Sequence, residues 1–447
     1  MPKSVFEKIW DSHVVEELPG GNYLVFIDRI VAHEITTPQG AIEIDEHFGG
    51  RLYSPERIIA VNDHVSPAKD TETAIQAKVL RDWAKKYKVK LFDIGDNGIC
   101  HVVAPERGYV QPGMTLCCGD SHTGTNGAFG AFALGIGTTA QAGAMLAQCL
   151  ILQKPKTFKI FVSGKLPKFV YAKDVILAII QKITFKGGTG YVFEYAGPAV
   201  ETMSMEERMT ICNMSIEAGA TSGMISPDII TVEYLKNREI IPKKESEFEK
   251  LKSKWLSFAS DKDTKYDCDI SLDANNLKPH VTWGTNPGEV VDIDSVIPDN
   301  ADEKSLEYMG LKRGQKIRNL PMDQAFIGSC TNSRISDLRE AAKILKGRKV
   351  SIPTIITPGS QAVKRQAERE GLHDIFQDAG ALWTHSSCGP CLGMSMGVVA
   401  PQSRCISSSN RNFPGRMGTG SRAHLASPAL VAASAVTGVI THPKDLL

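Results

Sequence analysis

The stretch Gly328-Ser329-Cys330-Thr331-Asn332-Ser333 and the later stretch Ser387-Cys388-Gly389-Pro390-Cys391-Leu392-Gly393 indicate how this chain folds. Each follows a short apolar run, at residues 324–327 and 381–383, and each precedes residues with helical spacing, so both are predicted strand-to-helix turns. In an open parallel sheet such turns lie together at the carboxyl ends of the strands, where ligands bind. We therefore interpret Cys330, Cys388 and Cys391 as one metal site with three thiolate ligands.

The number of cysteines in this site bears on the kind of metal it holds. Three thiolates are too few to close a tetrahedral structural zinc site, and a lone C-x-x-C could instead be a redox pair. A cubane iron–sulfur cluster can be held by three cysteines with one iron left for substrate, which suits Lewis-acid chemistry better than electron transfer. The spacing alone leaves zinc, redox chemistry and inert buried thiols open.

The composition is that of an ordinary globular protein. The chain has 447 residues, of which 42% are hydrophobic and 23% charged, and this length predicts about three domains. The formal net charge of +1 and the lack of a basic stripe argue against a nucleic-acid or membrane surface. Ten cysteines, dilute in a chain without a signal peptide or a long apolar run, favour a reducing cytoplasm. The first 17 residues mix charged and apolar side chains and predict a short surface helix.

Two acid–histidine dipeptides follow apolar runs in the first third. His33-Glu34 follows one such run and is interpreted either as a site pair or as a surface or capping pair. Asp63-His64 follows the buried-strand pattern of residues 58–61, and a carboxylate there can orient the imidazole and raise its basicity. A hydrogen-bonded structural histidine is the alternative.

The stretch Gly119-Asp120-Ser121-His122 opens a run of glycines that continues to Gly137. So many glycines indicate close approach to a ligand or to another backbone. Ser121 lacks a G-x-S-x-G elbow, so a serine hydrolase is a poor reading, and no P-loop pattern occurs. His101 lies in an apolar stretch and, taken alone, is better explained as a hydrogen-bonded core residue than as a catalytic one.

Two further pairs are candidate site residues. Asn213 and Glu217 are four apart on a helix predicted at Met203 to Gly219, so both can face one cleft, although a solvated helix face is the alternative. Arg411 and Arg416 lie in a loop rich in glycine and proline. The geometry of a guanidinium group matches that of a carboxylate, so this pair suits bidentate carboxylate binding, and an arginine-rich surface loop is the alternative.

Taken together, these motifs resemble the aconitase family. They occur in one order over nearly the whole chain: Asp63-His64, His101, Gly119-Asp120-Ser121-His122, Asn213 with Glu217, Gly328-Ser329-Cys330-Thr331-Asn332, Cys388-x-x-Cys391, and Asn410-Arg411 with Arg416. The resemblance implies an α/β protein of three α/β/α domains of the aconitase type, at residues 1–154, 155–296 and 297–447, around a central [4Fe–4S] cluster. It implies a hydro-lyase that acts on a small hydroxy-dicarboxylic acid.

The resemblance also implies a role for each candidate residue. Cys330, Cys388 and Cys391 would hold the cluster, whose fourth iron would take the substrate's hydroxyl and a carboxylate. The catalytic set would be Asp63, His64, His101, Asp120, His122 and Glu217, with Asp63-His64 supplying a proton and with Asp120 and Glu217 orienting His101 and His122. The substrate-binding set would be His33, Ser121, Asn213, Arg411 and Arg416.

One expected part of the family pattern is not found in this sequence. Complete aconitases carry a fourth, swivelling domain with the serine base, whereas this sequence ends at Leu447, soon after a predicted helix. The resemblance therefore predicts a separate small subunit that carries the swivel domain. Homoaconitase and methylmalate-type hydratase activities remain open, as does a cluster-less RNA-binding or regulatory role, which the balanced charge disfavours.

Overall fold

The computed structural model describes residues 1–447 and shows a mixed α/β protein, as predicted. The chain forms two compact units, called here the first and second unit. The first unit comprises Met1–Ser163 and Gly188–Leu272, and the second comprises Gly164–Gly187 and Asp273–Leu447. None of the helices is both long enough and apolar enough to cross a lipid bilayer.

Strands and helices alternate along most of the chain. The strands are β1 (Val14–Leu18), β2 (Asn22–Phe26), β3 (Arg29–His33), β4 (Ile58–Val61), β5 (Lys90–Phe92), β6 (Thr115–Cys118), β7 (Phe132–Gly135), β8 (Cys149–Gln153), β9 (Lys156–Ser163), β10 (Tyr191–Ala196), β11 (Ser222–Ile225), β12 (Cys268–Asp273), β13 (His280–Thr282), β14 (Val290–Asp292), β15 (Gln324–Ile327), β16 (Thr354–Ile356), β17 (Leu382–Trp383), β18 (Arg404–Ser407) and β19 (Arg422–Leu425). The α-helices are α1 (Val5–His13), α2 (Thr37–His47), α3 (Thr71–Tyr87), α4 (Cys100–Glu106), α5 (Thr138–Ala147), α6 (Ala172–Ile183), α7 (Pro198–Glu201), α8 (Met205–Asn213), α9 (Ile229–Leu235), α10 (Glu245–Leu256), α11 (Glu303–Met309), α12 (Ile335–Leu345), α13 (Gln361–Arg369), α14 (Leu372–Asp378) and α15 (Pro428–Thr437).

The first unit contains a five-stranded sheet in the order β5-β4-β3-β6-β7, in which every pairing is parallel. All four residues of β4 are buried, as expected for a strand covered on both faces. A second sheet has the order β11-β10-β9-β12, and a small antiparallel sheet has the order β1-β2-β8. The candidate residues of the first third lie on a strand of the parallel sheet or on segments that follow its strands.

Helix α1 lies within the first 17 residues, for which the sequence predicts a short surface helix. Its capping box is formed by Ser4 and Glu7, as its sequence allows. One face is nevertheless fully buried, with Phe6 and Trp10 packing around Phe132 of β7. The opposite face is exposed at Asp11 and Ser12, so the helix lies at the surface as predicted. Its buried face could not be predicted because the apolar partners of α1 lie far along the chain.

The second unit is built on a parallel five-stranded sheet in the order β17-β16-β15-β18-β19. The loops after β15, β17 and β18 all leave the carboxyl ends of these strands. They carry, respectively, Cys330, Cys388 and Asn410. This is the edge at which open parallel sheets bind ligands.

The division into three domains stays a prediction. The boundary placed after residue 154 falls between β8 and β9, and the boundary placed after residue 296 falls between β14 and α11.

Candidate functional site

Several candidate acids and histidines of the first unit lie just after strands of the parallel sheet. Glu34 follows β3, Asp63 and His64 follow β4, and Asp120 follows β6, while His101 is on the first turn of α4. All five are buried or nearly so, although charged residues are rarely buried without partners. Each therefore has to be stabilised by its neighbours.

Asp120 contacts His64, His101 and His122, a group called here the histidine cluster. Its Oδ1 accepts hydrogen bonds from His101 Nε2 at 3.0 Å and from the backbone N–H of His122 at 2.7 Å. Its Oδ2 lies 3.6 Å from His64 Nε2. Burial alone would raise the pKa of Asp120, but the contacts with His101 and His122 outweigh it and hold the pKa well below its usual value. Asp120 is therefore a carboxylate, and His101 must donate to it.

His101 is held in a defined orientation. Burial lowers its pKa, but the hydrogen bond to Asp120 and the charge of that carboxylate outweigh burial, so that the pKa is raised. The backbone N–H of the preceding Cys100 donates to Asp63 Oδ2 at 2.9 Å, which fixes the start of α4. A carboxylate–imidazole pair of this kind can hold and deliver a proton.

A second acid–histidine pair involves the predicted residues His122 and Glu217. His122 Nε2 lies 2.8 Å from Glu217 Oε1, and both side chains are buried. Asn213 Nδ2 donates to Thr125 Oγ1 at 2.8 Å, in the same turn as His122. The structure thus brings Asn213 and Glu217 to the turn that Ser121 begins, where Ser121 itself is half-buried.

His33 also belongs to the histidine cluster, with its ring centroid 5.0 Å from that of His64. Burial works against its charged form, but contact with Cys118 and the charge of Glu34 outweigh burial and raise the pKa of His33 to about 10. Burial would likewise raise the pKa of Cys118, but contacts with Cys100 and His33 hold it well below its usual value. Contact between the His33 and Cys118 side chains therefore moves their two pKa values in opposite directions.

Sequence reasoning missed Cys118 and gave Glu34 no defined role. The Glu34 carboxylate accepts from the backbone N–H groups of Asp63 at 2.9 Å and Val65 at 2.6 Å, so it fixes the loop after β4. Cys118 looks like an ordinary apolar strand residue in the sequence. Its contact with His33 depends on the pairing of β6 with β3, which the local sequence does not show.

The second unit brings the predicted cysteine ligands into one region, called here the cysteine site. Cys330, Cys388 and Cys391 are 5%, 7% and 4% exposed. The Ser329 hydroxyl lies 3.5 Å from Cys391 Sγ and 3.9 Å from Cys330 Sγ. Asn410 Nδ2 donates to Cys330 Sγ at 3.2 Å, and the Cys391 thiol donates to Asn410 Oδ1 at 3.6 Å. Ser329 and Asn410 therefore each contact the sulfurs of Cys330 and Cys391.

Cys391 lies in a single turn of 3₁₀ helix, Gly389–Leu392, and Cys388 is the residue that caps the start of this turn. Gly389 has a φ of +58°, and a Cβ there would lie 2.8 Å from the Phe326 ring. A Cβ at Gly328 would lie 2.4 Å from the same ring. Both loops thus pack against Phe326, and only glycine allows that approach.

These residues fit an iron–sulfur cluster. The donors are three buried thiols from two loops, and a serine hydroxyl and an asparagine amide contact the sulfurs. Hydrogen bonds to sulfur are among the features by which proteins tune such clusters. Three cysteines also leave one coordination position without a protein thiolate.

Arg411 and Arg416 follow Asn410 in the loop after β18. Both are half-buried, and the Arg416 guanidinium lies 5.3 Å from the centroid of the Phe413 ring. Arg416 Nε is buried without a hydrogen-bond partner. Asn412 Nδ2 donates to the carbonyl oxygen of Gly284 at 2.7 Å and holds the loop between the two arginines.

The sequence of this chain is similar to those of known proteins over nearly its whole length. Residues 7–438 match the family described as the aconitase family (aconitate hydratase). A protein of Oceanobacillus iheyensis named 3-isopropylmalate dehydratase large subunit is 47% identical over 454 aligned residues, which cover 98% of this chain and 97% of that protein. The crystal structure of Thermococcus kodakaraensis aconitase X (holo-form) is similar over 91% of this chain and 87% of that chain, with 12% identity and a TM-score of 0.48. The match over nearly all of its length confirms the predicted resemblance, and the chain belongs to the aconitase family.

Proposed function

We propose that this chain is the large, cluster-binding subunit of a hydro-lyase that interconverts 2- and 3-isopropylmalate in leucine biosynthesis. This proposal rests on the observation that Asn410 contacts the sulfurs of both Cys330 and Cys391. The name of the relative that is 47% identical over nearly the whole chain supports the choice of substrate.

The cofactor is a [4Fe–4S] cluster held by Cys330, Cys388 and Cys391. When bound, it supplies a Lewis acid for the hydroxyl group of the substrate at the iron without a cysteine ligand. Hydroxide is a poor leaving group, so the departing oxygen also needs a proton.

The chain's own acid–histidine pairs handle that proton. His64 lies between two carboxylates, with its Nδ1 3.5 Å from Asp63 Oδ2 and its Nε2 3.6 Å from Asp120 Oδ2, and it is the residue that we assign to proton delivery. Asp120 orients His101 and Glu217 orients His122, in each case through a hydrogen bond between the carboxylate and the Nε2 atom of the imidazole. His33, Ser121 and Asn213 belong to the proposed substrate-binding set, together with Arg411 and Arg416.

Arg411 and Arg416 bind the carboxylates of the substrate. Their guanidinium groups suit bidentate contact, and the unpartnered Nε of Arg416 is a donor that a carboxylate can satisfy.

The enzyme works as a complex with a small subunit that carries the swivel domain and the catalytic base. The relative's name, large subunit, supports this part of the proposal. We place the complex in the cytoplasm, because ten thiols and an iron–sulfur cluster require a reducing environment. Three domains of the aconitase type complete the proposed architecture.

Anaerobic reconstitution with iron and sulfide tests the cofactor. We expect the wild-type chain to take up a full complement of iron and sulfide, with the optical spectrum of a cubane cluster, and Cys391→Ser to lose it. Cys405→Ser is the matched control, because Cys405 is buried in the same hydrophobic cluster as Cys391. Full cluster uptake by the Cys391→Ser chain would remove the proposed ligand set.

The substrate is tested with the reconstituted chain and a small subunit from a close relative. We expect conversion of isopropylmalate to exceed that of homoaconitate and of methylmalate. Faster turnover of either of the other acids assigns the alternative activity, and full turnover by the large chain alone contradicts the proposed role of the small subunit.

A further inference from the structure

Helix α6 of the second unit carries a lysine that no part of the proposed mechanism uses. Lys173 has no exposed surface, and its Nζ donates to the carbonyl oxygen of Ser408 at 2.9 Å and to that of Ser409. Both acceptors are neutral. Burial of a charge is costly unless an opposite charge compensates it, so a cation held by two carbonyl oxygens needs explanation.

The two carbonyl groups belong to the segment that reaches the cysteine site. Strand β18 ends at Ser407, and Ser408 then accepts from the backbone N–H of Gly328 at 3.0 Å through its hydroxyl. Asn410, the next residue but one, donates to Cys330 Sγ at 3.2 Å. Lys173 thus holds the backbone from which Asn410 projects.

The charge of Lys173 also fits the proposed cofactor. Burial lowers the pKa of Lys173 to about 7, and the strongest opposing influences are Cys391, Asp337 and Cys330, in that order. A cubane cluster with three thiolate ligands carries net negative charge in its oxidised form. Such a cluster supplies the opposite charge that the two carbonyl oxygens lack.

We propose that Lys173 is a positioning residue of the cysteine site, which holds the Ser408–Asn410 segment against the sulfurs and raises the reduction potential of the bound cluster. This inference rests on the proposed function, because it presumes that the cysteine site binds an anionic cluster. It predicts two effects, one on cluster retention through the hydrogen bonds and one on potential through the charge.

Three substitutions separate these effects. Lys173→Met removes both the donors and the charge, Lys173→Gln keeps an amide donor without the charge, and Lys173→Arg keeps both. Lys182→Met is the matched control, because Lys182 is exposed on the same helix. Each full-length chain is reconstituted anaerobically, and its iron content, its rate of iron loss to a chelator and its cluster midpoint potential are measured.

We expect Lys173→Met to lose iron several-fold faster than wild type and to have a lower midpoint potential. Lys173→Gln should share the lower potential but lose iron more slowly than Lys173→Met, and Lys173→Arg should recover part of the wild-type potential. Lys182→Met should match wild type. Circular dichroism checks folding, and Lys173→Gln carries the test if Lys173→Met does not fold.

The outcomes separate this inference from the proposed function. A wild-type chain that takes up no cluster overturns both. A wild-type cluster whose potential and iron-loss rate are unchanged in Lys173→Met and Lys173→Gln overturns the role of Lys173 alone. Faster iron loss with an unchanged potential contradicts the electrostatic part.

Discussion

Substitution of Asp120 by asparagine removes the charge at the centre of the histidine cluster while keeping the shape of the side chain. The Asp120 Oδ1 atom accepts from both His101 Nε2 and the His122 backbone, and Oδ2 faces His64. An asparagine can still offer one oxygen to the two donors. Its amide nitrogen then takes the place of the oxygen that faces His64.

The expected loss follows from the two hydrogen bonds to Oδ1. A hydrogen bond to a charged group contributes about 1.5–3 kcal/mol, against about 0.5–1.5 kcal/mol for a neutral pair, so each bond weakens by about 1 kcal/mol or slightly more. If the two bonds contribute alike to the transition state, the barrier rises by about 2–3 kcal/mol, which corresponds to a roughly 30- to 150-fold fall in kcat.

The assay is steady-state turnover of the reconstituted complex, together with NMR titration of the histidines. The pKa of His101 should fall in Asp120→Asn, because burial continues to lower it and the opposing carboxylate is gone. Asp82→Asn, on the exposed face of α3, is the matched control and should leave both quantities unchanged. Turnover within about twofold of wild type, or an unchanged pKa of His101, would refute the role given to Asp120.

Two further predictions concern stability, measured by denaturant unfolding. Gly127→Ala should lower the free energy of unfolding by about 1–3 kcal/mol or more, because the new Cβ would lie 1.8 Å from the carbonyl oxygen of Gly223. Gly143→Ala is the control: its Cβ meets open space on α5, so it should raise the free energy of unfolding by about 0.5–1 kcal/mol. Equal effects of the two substitutions would contradict the packing argument. Burial lowers the pKa of His13, but the hydrogen bond to Asp28 outweighs it and raises the pKa above 6.5, so the pair stabilises fully below pH 6.5 and less as pH rises through the folded pKa. His13→Gln should therefore cost about 1–2 kcal/mol in mildly acidic buffer and progressively less at alkaline pH, and a cost independent of pH would contradict the linkage.

The strands that position both sites could be predicted because their sequence signal is local. Residues 58–61 and 324–327 are short apolar runs, and both are buried strands of parallel sheets. Loop residues that follow such strands must lie at the carboxyl edge of the sheet, since parallel strands share one direction. The positions of His64 and Cys330 followed from this rule, whereas their catalytic and ligand roles stay predictions.

The partners of these residues could not be predicted, because they depend on which strands become neighbours. Cys118 contacts His33 only because β6 pairs with β3, which ends at His33. Lys173 reads as an ordinary polar residue near a helix start, yet the whole first half of α6 is buried. A single sequence gives no register between distant segments, and these contacts are set by register.

The two sites of this chain depend on the same structural device. In the first unit, Asp120 follows β6 and accepts a hydrogen bond from His101, which lies on α4, the helix after β5. In the second unit, Asn410 follows β18 and donates to Cys330, which follows β15. In each case a polar side chain at one strand end holds a candidate site residue that another segment supplies. Because the sheets fix these loops at their roots, a small shift in strand register would separate donor from acceptor while leaving every residue in place along the sequence. Strand pairing is therefore as much a determinant of the chemistry as the histidines and cysteines themselves.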